Sequence, residues 1–197
     1  MSVRFVDVAD DVLGWIENAR MQRTSHALAA AGRVWLVDPI EGEGVEERIR
    51  ALGEPAGVIQ LLDRHERDCA AFAARFGVPL HVVPWSLPDT PFELRRVVRL
   101  RFWREVALWW PERRILVCAD VLGTVPFFRA GDEPIGVHPL LRLRPPRGLR
   151  GLDVRHALVG HGEGVADGAA VERALATARQ RLPRWLAGVP RIVRRGY

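Results

Sequence analysis

Nine consecutive residues, Leu61-Leu62-Asp63-Arg64-His65-Glu66-Arg67-Asp68-Cys69, gather more reactive side chains than any other stretch of the chain. Carboxylates, an imidazole and a thiol at this density can ligate a metal or move protons. The interleaved guanidinium groups can pair with carboxylates or hold an anionic ligand. Three more candidates each end an apolar run: Asp38 after Val34-Trp35-Leu36-Val37, Asp120 after Ile115-Leu116-Val117-Cys118-Ala119, and His161 soon after Ala157-Leu158-Val159. Gly160 and Gly162 flank His161, and a residue without Cβ lets the backbone approach closely, as a site loop requires. Ser25 beside His26 is no triad signal, because no aspartate at a defined geometry accompanies it.

The elements that must position these groups follow from periodicity. Residues 3–8 are β-branched and read as a strand; 12–19 are ambiguous. Residues 23–31 and 34–38 form a hairpin around Gly32, with a second arm apolar enough to be buried on both faces. Residues 41–51 place Val45, Ile49 and Leu52 on one helical face. A strand over 58–62 leads into the reactive stretch, and Asp68 can cap a helix over 68–76. Residues 80–84 form another strand. A second hairpin, 96–102 with 105–110, continues into 115–120, and its last arm echoes 33–38. This echo predicts two related halves. Residues 121–150 hold loops and a short helix near 138–141, residues 169–186 a long amphipathic helix, and Pro190 begins a basic tail.

The chain of 197 residues is long enough for one core, so a single domain over 1–197 is expected. No apolar run reaches the ~20 residues of a membrane span. The charged first eleven residues lack the apolar core of a signal peptide, and two cysteines make no disulfide framework, so a cytoplasmic location is expected. The net charge is +5, and all 29 basic residues are arginines. They are spread along the chain rather than gathered in one stripe, which argues against a nucleic-acid partner.

The order of strand with Asp-Pro, strand with charged motif and helix, strand with Asp, and strand with Gly-His-Gly resembles the metallo-β-lactamase superfamily. The likeness covers roughly residues 20–186 and is carried by Val37-Asp38-Pro39, by Arg75-Phe76-Gly77-Val78-Pro79, by residues 107–120 and by Leu158-Val159-Gly160-His161-Gly162. It implies a four-layer αββα sandwich with metals at one end, between two sheets. The superfamily's ligand motif is His-x-His-x-Asp-His. Laid on residues 61–69, it puts Arg64 and Glu66 at the first two histidines, Asp68 at the aspartate and Cys69 at the last histidine. A further histidine position falls near Arg101, the bridging aspartate matches Asp120, and the final histidine matches His161. In another register His65 takes the second histidine position, Asp68 the last, and Cys69 is a bystander.

Guanidinium cannot ligate a metal, since it carries donors only. The resemblance therefore implies that the metal position built on Arg64, Glu66, Arg101 and Asp120 is lost. The expected state is metal-free, with arginines neutralising Asp68, Asp120 and Glu66, in a non-catalytic protein that is vestigial or binds an anionic small molecule. The alternative is a mononuclear hydrolase that holds one zinc or iron through Asp68, Cys69, Asp120 and His161. His65, His81 and His138 read as surface or loop residues, Cys118 as core, and Asp38 as a brace at the sheet end.

Overall fold

The structure is a computed structural model that describes residues 2–9 and 11–194. Six strands form the first sheet in the order β1 (Val3–Ala9), β2 (Val12–Glu17), β3 (Thr24–Ala30), β4 (Arg33–Val37), β5 (Glu54–Gln60) and β6 (Leu80–Val82). β1 to β4 run antiparallel, and β4, β5 and β6 run parallel. The two parallel steps need crossovers, which α1 (Val45–Leu52) and α2 (Cys69–Phe76) supply. Strand β4 shows the pleat at work. Val34 and Leu36 pack with Val45, Ile49 and Phe72 on the helical side, while Trp35 and Val37 join the core between the sheets.

The second sheet has the order β12-β9-β8-β7, built from β7 (Glu93–Leu100), β8 (Trp103–Trp110), β9 (Ile115–Cys118) and β12 (His156–Val159). A separate pair, β10 (Leu122–Gly123) and β11 (Gly136–Val137), lies in the following segment. Helix α3 (Gly168–Thr177) buries Ala170, Val171, Ala174 and Leu175 in the core shared with this sheet. The layers are thus helices, sheet, sheet, helices. Between the sheets, Phe92 sets its ring edge-to-face with Trp35 at 5.2 Å and with Trp110 at 5.3 Å.

The two halves share a plan. In the first, hairpin β3–β4 is followed by a parallel β5; in the second, hairpin β8–β9 is followed by a parallel β12. Asp38 and Asp120 follow corresponding strands, as do the segments carrying His65 and His161. At this end the sheets are stitched together. Leu62 bridges Glu105, Val106 N–H donates to Leu61 O at 3.0 Å, and Asp63 N–H donates to Arg104 O at 3.1 Å. Across the site, Arg23 bridges His161, and Thr24 N–H donates to Gly160 O at 2.9 Å.

Several boundaries differ from the sequence reading. Residues 12–17 are strand β2, with every residue buried and so no alternation to read. Helix α1 starts only at Val45, after Gly44 at φ 74°. The expected long helix over 169–186 divides into α3 and α4 (Leu182–Arg194). Pro183 lacks the N–H that a continuous helix would need to bond Arg179, but fits the first turn of a new one. Residues 190–194 therefore belong to α4 rather than to a tail. Among the described residues no helix is long and apolar enough to cross a membrane.

Candidate metal centre

Two aspartates set the frame. Asp38 directly follows β4, in the left-handed region at φ 44°, a conformation that costs energy in a non-glycine residue and recurs at functional sites. Its Oδ1 accepts the Leu61 N–H at 3.0 Å and so fixes where the reactive segment leaves β5. Its Oδ2 faces His65 Nδ1 at 3.5 Å. Asp120 follows β9 in a turn held by Glu105. One oxygen of that buried carboxyl accepts the N–H groups of Ala119, Asp120 and Val121 at 3.1, 2.9 and 3.1 Å. The other oxygen accepts the Trp103 indole N–H at 2.9 Å. Burial, with the nearby Asp120 charge, pushes Glu105 up to about 8. The donor pattern argues the other way: four N–H groups converge on it, which is the surrounding of an ionised carboxylate.

His65 and His161 close on Asp120 from the two halves. His65 Nε2 and His161 Nε2 each lie 3.2 Å from the same oxygen, Asp120 Oδ1. All three ligand atoms fall within 4.8 Å of one another. His161 Nδ1 donates to Met21 O at 2.8 Å, which orients the ring with Nε2 toward Asp120. The flanking glycines are required: a Cβ on Gly160 would meet Ala119 O at 2.6 Å, and Gly162 adopts φ +90° with Thr124 Oγ1 where its Cβ would fall. Phe128 stacks on the His161 ring at 5.7 Å between centroids.

The electrostatics follow from this packing. Burial would raise the Asp120 carboxyl, but His161 and His65 outweigh it and hold the group well below the usual carboxylate range. For His65, burial and Arg67 favour the neutral ring, yet Asp120 and Asp38 prevail and the net shift is upward. Asp120 Oδ1 is buried and makes no well-directed hydrogen bond, although two imidazole nitrogens flank it. One carboxylate oxygen and two imidazole nitrogens, each with its far side oriented by an oxygen, are the donors a zinc-like cation takes. The residues therefore fit a single ion, with further coordination positions open.

Arginines surround this group without displacing it. Arg67, at φ 42°, donates from Nη1 to Thr24 O and Asp38 O at 2.6 and 2.9 Å, and from Nη2 to Gly160 O at 3.0 Å. It ties together the ends of three strands. Arg64 is half exposed: its Nη2 lies 3.6 Å from Asp120 Oδ2, and its guanidinium covers the Trp103 ring at 5.0 Å. His138 packs among Trp103, Phe127 and Phe128, and burial lowers it to about 4. His26 is buried behind the site with Nε2 on Val159 O at 3.1 Å, and burial again lowers it to about 4.

The residues expected from sequence are divided by the structure. Asp120 and His161 lie in the three-residue group, and Arg64 lies at its rim. Glu66 is exposed. Asp68 stands at the start of α2 without capping it; its Oδ2 instead accepts the Glu41 N–H at 2.7 Å. Cys69, the first residue of α2, is buried in the core between the first sheet and its helices, donates weakly to His65 O at 3.8 Å, and its thiol is pushed up to about 12, chiefly by burial. Arg101 is exposed on the β7–β8 hairpin. His65, read first as a surface or loop residue and placed at a ligand position only in the other register, is the third member of the group, while Asp68, which that register also made a ligand, is not. The structure does not show the expected loss of metal ligands: His65, Asp120 and His161 form a group that could hold an ion. The alternative set keeps Asp120 and His161, with His65 in place of Asp68 and Cys69.

Comparison with solved structures bears on the architecture. DIM-1 metallo-β-lactamase exposed to ceftazidime superposes with a TM-score of 0.66 at 14% identity, over 93% of this chain and 97% of that one. The chain has the metallo-β-lactamase fold. The metallo-β-lactamase from Erythrobacter litoralis gives 0.60 at 15% identity, over 91% and 93%. VMB-1 at pH 5.5 gives 0.61 at 11%, over 91% and 97%. No family model matches the sequence, and no curated protein matches it. At these identities the likeness concerns the metallo-β-lactamase fold alone, and the site must be argued from its own residues.

Proposed function

We propose that this protein is a mononuclear metal-dependent hydrolase whose ion is held by His65, Asp120 and His161. The observation that carries this reading is the buried Asp120 Oδ1, flanked at 3.2 Å by two Nε2 atoms and lacking a well-directed hydrogen bond. A divalent ion there supplies Lewis-acid activation of water or of a substrate oxygen. The chain's own contribution is orientation. Met21 O and Asp38 fix the two rings, Glu105 fixes the Asp120 turn, and Arg64 presents a cation at the rim to an anionic group on the substrate.

One observation favours a second reading. Arg64 pairs with Asp120 Oδ2, as it would in a metal-free, non-catalytic cleft that binds an anionic small molecule. The pair uses Oδ2 and leaves Oδ1 free, so it is compatible with an ion. Elemental analysis after purification without chelator separates the two readings. Zinc or iron near one per chain, abolished by His161→Ala, supports the first. Metal below about a tenth per chain, unchanged after incubation with zinc or iron, sinks it, since a built site of this kind binds tightly at neutral pH.

A further inference from the structure

Edge strands β6 and β7 of the two sheets leave a side cleft of about 400 Å³. Its volume falls in the ~300–1,000 Å³ range of small-molecule sites. The lining joins the segment after β6 to the β7–β8 hairpin. Val98 and Val106 give it an apolar floor, each almost fully buried. Trp85 stands in it 71% exposed, unusual for so large an apolar ring, with the Arg96 guanidinium 3.6 Å from the ring centroid.

The charge in this cleft is one-sided. Arg96, Arg99, Arg101 and Arg104 all line it. Arg104 is neutralised by Asp63 at 3.2 Å. Among the described residues, Arg96, Arg99 and Arg101 form no ion pair. Among the described residues the only carboxyl in the lining is Glu105, already engaged by four N–H donors. An exposed indole beside three guanidinium groups without internal counter-ions, over an apolar floor, is complementary to one class of molecule. The ring offers stacking and the guanidiniums offer paired N–H donors to an oxyanion.

We infer that this cleft binds a small planar aromatic anion, its ring on Trp85 and its oxyanion on Arg99 and Arg101. None of His65, Asp120 and His161 lines the cleft; Glu105, which holds the Asp120 turn, is the one residue common to both places. Its volume limits it to a molecule of one or two rings.

Calorimetric titration with naphthalene-1-sulfonate and 1-naphthoate tests this on the full chain. Both should bind, and 1-naphthalenemethanol or inorganic sulfate alone should bind at least about tenfold more weakly, the factor of one charge-assisted hydrogen bond or one stacked ring. Arg99→Ala/Arg101→Ala should weaken both anions by about tenfold or more, and Trp85→Leu by a similar factor. These side chains are exposed, so an unchanged melting temperature is expected and reports that folding is intact. Arg191→Ala/Arg194→Ala removes the same charge on α4, outside the cleft lining, and should leave affinity unchanged, as should His161→Ala. The inference is overturned if neither anion binds, if the Arg99/Arg101 variant keeps full affinity, or if His161→Ala abolishes binding. A ten-residue oligothymidylate that binds far more tightly than either probe, with a steep salt dependence, would instead assign the surface to single-stranded nucleic acid.

Discussion

Asp38 Oδ2 lies 3.5 Å from His65 Nδ1, while Asp38 Oδ1 holds the Leu61 N–H at 3.0 Å. One carboxylate thus fixes both the path of the reactive segment and the ring at its centre. Asp38→Asn can keep an oxygen for Leu61 but then turns an amide N–H₂ toward His65. Metal affinity should fall about 10–100-fold, the usual cost of losing the partner that orients a ligating histidine. A chelator competition titration measures it. Unaltered affinity would show that Asp38 braces the sheet end and nothing more.

Cys69 and His65 stand four residues apart and have opposite surroundings. Cys69→Ala should leave metal content unchanged and cost about 1 kcal/mol, because the thiol is a small buried group among apolar neighbours. His65→Ala should bring metal content below about a tenth per chain, since it removes one of the three donors of the group. Loss of metal in the cysteine variant, with full content in the histidine variant, would restore the register read from sequence.

His26 supplies a pH dependence away from the ion ligands. Its folded pKa is lowered from 6.5 to about 4, mainly by burial. The unfolded chain therefore binds a proton that the folded chain refuses between these values, and stability falls as pH drops from about 6.5 to about 4. His26→Gln can retain a donor to Val159 O but cannot titrate. Urea unfolding across this window should give a slope shallower by up to about 1.4 kcal/mol per pH unit in the variant. Parallel curves would mean that His26 titrates normally in the folded protein.

Glu105 supports the Asp120 turn entirely by accepting hydrogen bonds. Glu105→Gln replaces one oxygen by an N–H₂ group, which must confront either the Trp103 indole N–H or the three backbone N–H groups. The variant should lose about 1–3 kcal/mol, the cost of a buried donor without an acceptor. Metal affinity should fall with it, because Asp120 is no longer held. Thermal unfolding and metal content measured on the same sample check both effects; stability at the wild-type level would indicate a protonated Glu105 in the native protein.

The fold was legible because its signals are local. The apolar arms ending in Asp38 and Asp120, the Gly-His-Gly turn and the helical spacing of Val45, Ile49 and Leu52 all stand where the sequence puts them. The site was legible in half. Asp120 and His161 follow regular strands, so strand ends alone locate them. His65 lies in a segment that has left β5 and bridges instead to β8 through Leu62 and Glu105. That distant pairing, with the left-handed turn at Arg67, decides which of residues 64–69 face inward. Residue spacing counted along the segment cannot register either. The outcome is that His65 and Arg67 point in, and Arg64 and Glu66 stay exposed.

The four residues at the centre divide evenly between the related halves: Asp38 and His65 from one, Asp120 and His161 from the other. An ion gripped by His65, Asp120 and His161 would therefore act as a clasp across the sandwich. Separating the sheets would require releasing it, so occupancy would add to the cohesion of the whole molecule. At a thousandfold excess over the dissociation constant this is worth about 4 kcal/mol. Resistance to unfolding then becomes a gauge of the ion itself, readable before any substrate is known.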